Sequence, residues 1–313
     1  MKKTDIALLA GGWSRERDVS IKSGAAVFKA LDRNKYNVTM YDPRDGLGYL
    51  VKERENIDLA FVLLHGKFGE DGCIQGMLDL LDIPFVGSGV LASSMASNKR
   101  VAKDLYKTAG LNVVEDVMLH KGKAFSVDRI TEFLGNSTVV KPVSEGSSIG
   151  VSICHSREEL IKGINLAFQH DRDVMVEKYV EGREVTCCVM GGSVLETLPI
   201  VEIVPDKSYP FFDYEAKYTP GATREICPAD LSETLAEMTR AVALKAHQTL
   251  KCRVWSRTDM ILRDGEVYLL ETNTIPGMTE NSLVPLSAGA AGMSFAQLLD
   301  RLIELSLDQG SAG

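Results

Sequence analysis

Short apolar runs and longer amphipathic stretches alternate along the first part of the chain. Apolar runs lie at residues 6–10, 38–41 and 59–64. A helical pattern near residues 20–31 lies between the first two runs, and another at residues 74–81 follows the third. Apolar runs of this length are typical of buried strands, and strands that alternate with helices predict a doubly wound parallel sheet. Ligands bind such sheets at the ends of the strands. We therefore expect the Gly-rich junctions after the first and third strands to contribute to a site.

The pattern becomes mixed after residue 97. A helix is predicted over residues 99–109, and a second helix starts at a capping box that pairs Ser156 with Glu159 and runs to Phe168. Three extended runs accompany these helices, at residues 113–119, 138–142 and 174–179. This mixture predicts a small central α+β lid domain.

Longer strands and two amphipathic helices are predicted in the last third of the chain. We expect strands at residues 186–190 and 194–204, then a loop over residues 205–221, then a helix over residues 235–246. The final helix begins at a second capping box, and its apolar stripe predicts core packing by Phe295, Leu298, Leu299, Leu302 and Ile303.

The predicted fold class is therefore α/β with three domains. Residues 1–97 would form an N-terminal domain with a doubly wound parallel sheet, and residues 98–185 a central α+β lid. Residues 186–313 would form a mixed α+β C-terminal domain.

A strand that ends in polar residues lies close to the C-terminus. It presents Glu271 and Asn273 two residues apart and then gives way to a Pro-Gly turn, while the preceding strand presents Arg257 and Asp259. Side chains two residues apart share one face of a strand. Carboxylate and amide oxygens beside a loop rich in backbone N–H groups predict a site for a magnesium ion that carries phosphate.

The connection between these two strands decides whether the four polar side chains share a face. A two-residue turn would direct the Arg–Asp pair away from the Glu–Asn pair. A three-residue loop from Arg263, with Gly265 in the left-handed region, brings all four onto one face. We therefore predict the three-residue loop. The alternative is a hairpin whose Arg257 and Asp259 pair only for stability.

A loop of small residues follows the strand that ends near Lys141. Gly146 permits close approach of the backbone, and Ser147 and Ser148 offer N–H and hydroxyl groups. Such a loop can surround phosphate oxygens while Lys141 supplies positive charge. The Gly-Lys-Ser/Thr sequence of a P-loop is absent. Alone, the same loop would be a flexible turn.

Two further segments contain candidate binding residues. Residues 176–184 have the pattern of a strand whose backbone could hydrogen-bond an adenine edge, with Glu184 reaching ribose hydroxyls. The alternative for this segment is an edge strand with solvated charges. Glu16 lies near a predicted helix start, where it could bind an amine. The alternative for Glu16 is a carboxylate that only stabilises the helix dipole.

Composition narrows the functional classes. The 313-residue chain is 45% hydrophobic and 25% charged, as in ordinary globular proteins, and its formal net charge of −8 argues against a nucleic-acid surface. Its apolar runs are too short to span a bilayer, and its N-terminus lacks the apolar segment of a signal peptide. Six cysteines without CxxC spacing favour a reducing cytoplasm over disulfides or zinc.

Taken together, these motifs resemble those of the D-alanine–D-alanine ligases in the ATP-grasp superfamily. The most specific are His-Gly-x-x-Gly-Glu-Asp-Gly at residues 65–72 and Asn-Thr-x-Pro-Gly-Met-Thr at residues 273–279. The other matching segments are residues 11–20, 141–150, 177–178, 214–218 and 271–283. The resemblance implies a three-domain ATP-grasp architecture. It also implies ligation of two D-alanines through a D-alanyl phosphate, with release of ADP and phosphate, for peptidoglycan precursor synthesis.

The resemblance also implies residues for nucleotide and metal binding. Two Mg²⁺ or Mn²⁺ ions would bridge the ATP phosphates to Asp259, Glu271 and Asn273. The ATP itself would lie between the central and C-terminal domains. Its implied contacts are Lys99, Lys141, Ser148, Glu177, Lys178, Glu184 and Lys217.

The amino-acid substrates have implied partners too. Glu16 would hold the ammonium group of the first D-alanine, with His65 nearby. Ser282 and the backbone of Leu283 would bind the carboxylate of the second. The same resemblance implies two further catalytic roles. Arg257 and the Gly277 N–H would stabilise the tetrahedral oxyanion. Ser147 and Tyr218 would form hydrogen bonds with Glu16 that close the loop over the site.

Three other implications concern specificity, local geometry and partners. A tyrosine at position 218 resembles the residue found in the dipeptide-forming enzymes of the family rather than in the relatives that make D-alanyl-D-lactate. The family usually has Gly-Trp-Gly where this chain has Val254-Trp255-Ser256, and the added bulk could shift the strand that carries the metal ligand. A homodimer through the N-terminal domain is implied, with no nucleic-acid or membrane partner.

Two alternative functions stay open at this point. One is an ATP-grasp ligase that joins a carboxylate to the amine of a different amino acid, although residues 214–218 and 281–283 favour the D-alanine pair. The other is a nucleotide or amino-acid sensor that has lost catalysis. Every expected metal and phosphate residue is present, which favours the enzyme.

Overall fold

Three β-sheets organise the chain in a computed structural model that describes residues 2–205 and 223–310. The first sheet has three parallel strands in the order β2-β1-β3: β1 (Thr4–Leu9), β2 (Tyr36–Tyr41) and β3 (Leu59–Val62). The helices of this part are α1 (Arg17–Ala30), α2 (Pro43–Lys52), α3 (Cys73–Leu80) and α4 (Val90–Ser97). The predicted parallel N-terminal sheet is confirmed. Its strand order reverses between β1 and β3, so a crevice opens at their carboxyl ends.

The second sheet has four antiparallel strands in the order β4-β7-β5-β6. Its strands are β4 (Asp116–His120), β5 (Thr138–Pro142), β6 (Ser152–Cys154) and β7 (Asp173–Lys178). The helices of this part are α5 (Lys99–Thr108), α6 (Val127–Leu134) and α7 (Arg157–Ala167). The predicted capping box of α7 is half formed. The Ser156 hydroxyl accepts a hydrogen bond from the Glu159 N–H at 3.2 Å, whereas the Glu159 carboxylate accepts from His155 N–H.

The third sheet contains six strands and is antiparallel. Its strands are β8 (Arg183–Gly191), β9 (Leu195–Thr197), β10 (Val201–Pro205), β11 (Thr223–Ile226), β12 (Val254–Arg263) and β13 (Glu266–Asn273). The main path is β11-β10-β8-β12-β13, and β9 also pairs with β8. The helices are α8 (Glu233–Thr249), α9 (Leu283–Ala290) and α10 (Phe295–Gly310).

The predicted single strand over residues 194–204 is wrong, because the chain divides it into β9 and β10. Thr197 pairs with Val189 of β8, but Val201 pairs with Thr186, so the register changes by one residue between them. Pro199 lies at this break. Proline has no N–H to donate to a sheet ladder, which explains the interruption.

The C-terminal helix joins the last part of the chain to the first. Its predicted core stripe is confirmed, because Leu298, Leu299, Leu302 and Ile303 are almost fully buried in a cluster with strand β1 and Trp255. Each such side chain contributes about 1.5–3 kcal/mol when it is fully buried. The capping box of α10 is complete, with reciprocal hydrogen bonds between Ser294 and Gln297. The domain boundaries at residues 97 and 185 stay a prediction.

Candidate active site

The β12–β13 hairpin carries four of the predicted site residues, but the turn that joins its strands differs from the prediction. The predicted three-residue loop is wrong: Arg263 pairs with Glu266, which leaves a two-residue turn of Asp264 and Gly265. Both turn residues have positive φ, 52° and 80°, as a tight hairpin turn requires. A regular ladder from this turn would separate the two polar pairs, as the sequence argument stated.

A β-bulge restores the common face. Met260 pairs with Leu269, but Asp259 pairs with Glu271, so Leu270 has no partner of its own on β12. After this shift Arg257 pairs with Asn273. Directly paired residues point to the same side of an antiparallel sheet, and bulges reorient side chains in this way. All four polar side chains therefore share one face.

Asp259 lies at the centre of the hydrogen bonds on this face. Arg257 donates to both of its carboxylate oxygens, at 2.9 and 2.8 Å, and Asn273 Nδ2 donates to Oδ2 at 3.1 Å. Thr186 of β8 donates its hydroxyl to Oδ1 at 2.6 Å. Asp259 is only 8% exposed, so this orientation is fixed from both neighbouring strands.

Lys99 connects Glu271 of the third sheet to the Gly-rich loop after β5. It begins α5, and its Nζ lies 3.2 Å from Glu271 Oε2 and donates to the Glu145 carbonyl at 2.8 Å. Burial alone would lower the pKa of Lys99, but the charge and hydrogen bond of Glu271 raise it. The charges of Glu70 and Glu177 act in the same direction, so Lys99 is near three carboxylates from different parts of the chain.

The departure at residues 254–256 leaves the pairing of β12 with β8 intact. Its register with β8 is continuous from Val254 opposite Gly191 to Leu262 opposite Arg183. Val254 has φ 64°, and the Trp255 N–H donates to the Arg253 carbonyl at 2.7 Å, which forms a tight turn at the first residues of the strand. The pairing of the ligand-bearing strand with β8 is therefore uninterrupted, and a shift of this strand stays a prediction.

The second residue of this departure acquires a partner. The Ser256 hydroxyl lies 2.8 Å from His247 Nδ1 of α8, and both residues are buried. Burial lowers the pKa of His247 to about 4, so its ring is neutral at neutral pH. The added hydroxyl is thus satisfied inside the protein, which avoids the cost of an unpaired buried polar group.

Glu16 lies at the start of α1 and faces the Gly-rich loop after β5. Its side chain is 7% exposed, and the Ser147 hydroxyl donates to Oε1. A Cβ on Gly66 would lie 2.6 Å from Glu16 Oε2, and one on Gly146 would lie 2.8 Å from it. Two glycine backbones therefore enclose the carboxylate. The structure brings Glu16 and Ser147 together as expected.

His65 lies beside this carboxylate in the crevice after β3. The residue is 6% exposed, and its Nδ1 lies 3.7 Å from Glu70 Oε1. Burial lowers the pKa of His65, but the hydrogen bond and charge of Glu70, with the charge of Glu16, raise it overall. The Glu70 carboxylate also accepts the Gly66 N–H at 2.9 Å, which fixes the loop.

Lys141 and Glu177 form the core of a buried ionic cluster on the second sheet. Lys141 Nζ lies 2.6 Å from Glu177 Oε2, and Lys103 Nζ lies 2.5 Å from Glu177 Oε1. Lys103 also lies 3.2 Å from Asp116. Burial would raise the pKa of Glu177, but Lys141 and Lys103 together lower it.

The other residues predicted to bind the nucleotide lie outside the buried ionic cluster or outside the described residues. Ser148 has φ 58° in the Gly-rich loop, and Glu184 lies on β8 opposite Ile203 and Ile261. Lys178 is exposed and lies 3.4 Å from Glu115, so it is not part of the buried cluster. Lys217 and Tyr218 lie outside the described residues, as does the remainder of the 214–218 motif.

The loop between β13 and α9 places Gly277, Ser282 and Leu283 together. A Cβ on Gly277 would lie 3.3 Å from Ser282 Oγ. Ser282 is the residue before α9, but its hydroxyl pairs with Thr279 at 2.8 Å instead of capping the helix. The first N–H groups of a helix are free to bind an anion when no side chain caps them. This end of α9 therefore suits a carboxylate.

Three contacts at the site were missed from the sequence. Lys103 and Asp116 complete the ionic cluster around Glu177, and Thr186 orients Asp259. Only Lys103 had a detectable signal: it is one helical turn from Lys99, so both lie on one face of α5. Partners across a sheet, such as Thr186, leave no pattern in a single sequence.

Within the described residues, no helix is both long and apolar enough to cross a membrane. All six cysteines are free thiols.

Comparison with known proteins agrees with this geometry over nearly the whole chain. The family model described as D-ala D-ala ligase C-terminus matches residues 105–304, and the one described as D-ala D-ala ligase N-terminus matches residues 48–88. The D-alanine–D-alanine ligase of Syntrophobacter fumaroxidans is 51% identical over 98% of this chain and 99% of its own length. The corresponding ligase of Desulfotalea psychrophila is 51% identical over 97% of this chain and 95% of its own length.

Solved structures give the same result. The D-alanine–D-alanine ligase of Bacillus anthracis complexed with ATP matches with a TM-score of 0.87 and 36% identity, over 99% of both chains. The D-Ala:D-Ser ligase VanG of Enterococcus faecalis matches with a TM-score of 0.82 and 32% identity, over 97% of this chain and 100% of its own. Relatives with this fold therefore include ligases with different acceptors.

Proposed function

Because the chain belongs to the D-alanine–D-alanine ligase family, we propose that it is an ATP-dependent ligase that joins two D-alanines for peptidoglycan precursor synthesis. The observation that supports this most directly is the shared face of β12 and β13. There Arg257, Asp259, Glu271 and Asn273 lie together, and Lys99 from the lid reaches Glu271. A phosphate-handling face beside a closed loop suits activation of a carboxylate by ATP.

The reaction needs two steps because a carboxylate is a poor electrophile. In the first step, an oxygen of the first D-alanine carboxylate attacks the γ-phosphorus of ATP, and ADP leaves. In the second, the amine nitrogen of the other D-alanine attacks the carbonyl carbon of the acyl phosphate. Phosphate leaves and the amine loses a proton. Acyl phosphates hydrolyse readily, so water must be excluded.

The first substrate is assigned to the crevice at the N-terminal sheet. Glu16 supplies a buried negative charge for its ammonium group, and His65 lies close by with a raised pKa. The Ser147 bond to Glu16 draws the Gly-rich loop over this position. We propose that Tyr218 joins this closure, as the family resemblance implies.

The second substrate is assigned to the start of α9. Ser282 and the Leu283 N–H would bind its carboxylate, and Arg257 with the Gly277 N–H would stabilise the oxyanion of the tetrahedral intermediate. Arg257 lies 2.8 Å from Asp259, so its guanidinium is already oriented by the neighbouring carboxylate. Fixed donors of this kind need little reorganisation during the reaction.

The nucleotide is assigned to the space between the lid and the third sheet. Two lysines, Lys99 and Lys141, would contact its phosphates, and the Ser148 loop would enclose them. Glu177, Lys178, Glu184 and Lys217 complete the proposed set. The ATP complex of the Bacillus anthracis relative supports a nucleotide site in this fold.

The donor set on the β12–β13 face fits a divalent cation. Asp259, Glu271 and Asn273 offer carboxylate and amide oxygens, which Mg²⁺ prefers. We propose that they hold two Mg²⁺ or Mn²⁺ ions. When bound, the ions would neutralise charge on the ATP phosphates.

Three further assignments, of the domains, the oligomeric state and the cellular location, belong to the same proposal. We propose the three domains at residues 1–97, 98–185 and 186–313, and a homodimer that associates through the first of them. We place the reaction in the cytoplasm, because it consumes ATP.

Phosphate release from the purified protein tests the function. With ATP, Mg²⁺ and D-alanine we expect phosphate release, and D-alanyl-D-alanine should be detected by mass spectrometry. L-Alanine should give only background release, and D-lactate and D-serine should give little mixed product. A mixed product with D-serine or D-lactate as acceptor would instead favour the neighbouring ligase function. No release above the amino-acid-free background would favour the sensor.

A further inference from the structure

Helix α5 presents three polar residues to the site along one face. Lys99, Lys103 and Tyr106 are spaced i, i+4 and i+7, which places them in one row on a helix. Lys99 contacts Glu271, and Tyr106 donates its hydroxyl to Thr272 at 2.8 Å. The residue between them, Lys103, has no role in the reaction scheme.

Lys103 is a buried lysine that touches a nucleotide residue. It is 5% exposed, and its Nζ lies 2.5 Å from Glu177 Oε1 and 3.2 Å from Asp116. The other oxygen of Glu177 lies 2.6 Å from Lys141. Glu177 is thus divided between two ammonium groups, of which only Lys141 belongs to the phosphate-binding set.

We propose that Lys103 is a positioning residue for the nucleotide, because it binds one oxygen of Glu177 and so leaves Lys141 with uncompensated positive charge for a phosphate. This inference rests on the proposed function, since it assumes that Lys141 contacts ATP. Lys103 itself does not touch the nucleotide. It acts through Glu177.

The charge balance of the cluster is the physical reason. A lysine paired alone with a glutamate makes a neutral pair, and Lys141 would then attract an anion weakly. Because Lys103 also contacts Asp116, the whole linked network must be counted, and it keeps one excess positive charge. Its members are four cations (Lys103, Lys141, Lys107 and Arg100) and three carboxylates (Glu177, Asp116 and Asp104). Its effect on a phosphate is strong, because the cluster is buried and charges in a protein interior are screened less than in water.

The pKa shifts agree with this crowding of like charges. Burial lowers the pKa of Lys103, and the charge of Lys141 lowers it further, while Glu177 raises it. The cost of burying this lysine is offset by Glu177 and by Asp116, whose side chain is also buried.

The neighbouring Lys107 provides a matched control. It lies one turn further along α5 and contacts Asp116 at 2.7 Å, but no contact joins it to Glu177. A variant at Lys107 therefore removes one positive charge from the same network without changing the division of Glu177. Only the variant at Lys103 should affect nucleotide binding strongly.

The test is calorimetric titration of the full-length protein with a non-hydrolysable ATP analogue. We expect the Kd of Lys103→Met to rise about tenfold and that of Lys107→Met to stay within about twofold of wild type. The Lys103→Arg variant should regain part of the loss. In steady-state assays, Lys103→Met should raise KM for ATP and leave KM for D-alanine unchanged.

A second background separates this role from a structural one. Because Lys103 acts through Glu177, the Lys103→Met loss should be much smaller in a Glu177→Gln protein. If Lys103→Met alone does not fold, the smaller loss of Lys103→Arg is compared in the same two backgrounds. Equal losses in both backgrounds, or equal effects of the Lys103 and Lys107 variants, would overturn the inference. A wild type that binds the analogue but makes no dipeptide would refute the proposed function and not this inference.

Discussion

The hydroxyl of Ser147 donates a hydrogen bond to the carboxylate of Glu16, although 131 residues separate them in the chain. The bond joins the Gly-rich loop after β5 to the start of α1, beside the N-terminal sheet. Ser147 and Ser148 both have left-handed φ, 47° and 58°, which costs about 1 kcal/mol for each such residue. The contact with Glu16 helps to hold the loop in this conformation.

Removing this hydroxyl should affect catalysis more than stability. We expect Ser147→Ala to lower kcat/KM for D-alanine about tenfold, because one hydrogen bond that closes the loop is lost. The free energy of unfolding should change by less than about 1.5 kcal/mol. Steady-state kinetics and urea unfolding measure the two effects.

The opposite pattern is expected at Ser156, the N-cap of α7. Ser156→Ala should lower the free energy of unfolding by about 1 kcal/mol and leave kcat/KM unchanged. Similar profiles for the two serine variants would contradict a role for Ser147 in closure.

A methyl group on Gly146 should disturb the site directly. Its Cβ would lie 2.8 Å from Glu16 Oε2, so the carboxylate must move. Displacement of a substrate-binding group by about 1 Å can reduce turnover by roughly 100-fold, and we expect Gly146→Ala to lose between about 10- and 100-fold in kcat/KM for D-alanine.

Gly48→Ala is the matched control for this substitution. A Cβ there meets no atom within 4 Å, and alanine in a helix is favoured over glycine by about 0.5–1 kcal/mol. This variant should keep full activity and unfold at equal or higher urea concentration. A Gly146→Ala enzyme as active as the control would show that Glu16 tolerates displacement.

Asp259→Asn should reduce turnover far more than folding stability. The amide keeps the size of the side chain and can still meet Thr186, but it loses the negative charge that a metal ion needs. We expect turnover to fall by at least about 100-fold, and half-maximal activity to require more Mg²⁺. The free energy of unfolding should fall by about 1–3 kcal/mol, because Arg257 loses its charged partner.

Thr186→Val provides the comparison for the aspartate. It removes the hydroxyl that orients Asp259 and keeps the carboxylate, so its loss of turnover should be smaller, about tenfold. Should Asp259→Asn lose stability and activity in proportion, Asp259 would be a structural residue only.

The buried His247 should make stability depend on pH. Its pKa is about 4 in the folded state, below the value of about 6.5 expected for an unfolded histidine. The unfolded state therefore binds a proton that the folded state does not bind between these values, and stability falls as pH falls from 6.5 to 4. At about 1.4 kcal/mol for each pH unit, the loss is roughly 3 kcal/mol.

Urea unfolding of wild type and His247→Gln from pH 7 to pH 4 measures this effect. The difference in free energy of unfolding between the two proteins should shrink by roughly 3 kcal/mol over this range, because the variant lacks the titrating ring. Parallel curves for the two proteins would show that His247 does not titrate in this window.

Local sequence signals predicted those parts of the fold that depend on local geometry. The capping box at Ser294 and Gln297 formed completely, because its two partners are three residues apart. The core stripe of α10 followed from helical periodicity. The segments that carry the site chemistry were also identified, since small-residue loops and paired polar strand residues are visible in one sequence.

The sequence could not show features that depend on a partner strand or on surplus residues. The bulge at Leu270 arises because β13 has one residue more than β12 requires, and neither strand alone reveals this. The contact between Lys103 and Glu177 joins residues 74 positions apart. The break at Pro199 was missed because the flanking residues, such as Leu198 and Ile200, continue an apolar pattern.

Because of the bulge in β13, the odd-numbered residues of this strand face opposite sides of the sheet before and after Leu270. The substitutions that they tolerate should differ accordingly. Before Leu270, the odd-numbered Val267 and Leu269 face the core, and after it the odd-numbered Glu271 and Asn273 face the site. A saturation scan of the strand should therefore accept only apolar residues at odd positions on one side of Leu270 and only the native polar residues at odd positions on the other. An aligned set of relatives that was read with one uninterrupted period would assign half of this strand to the wrong face.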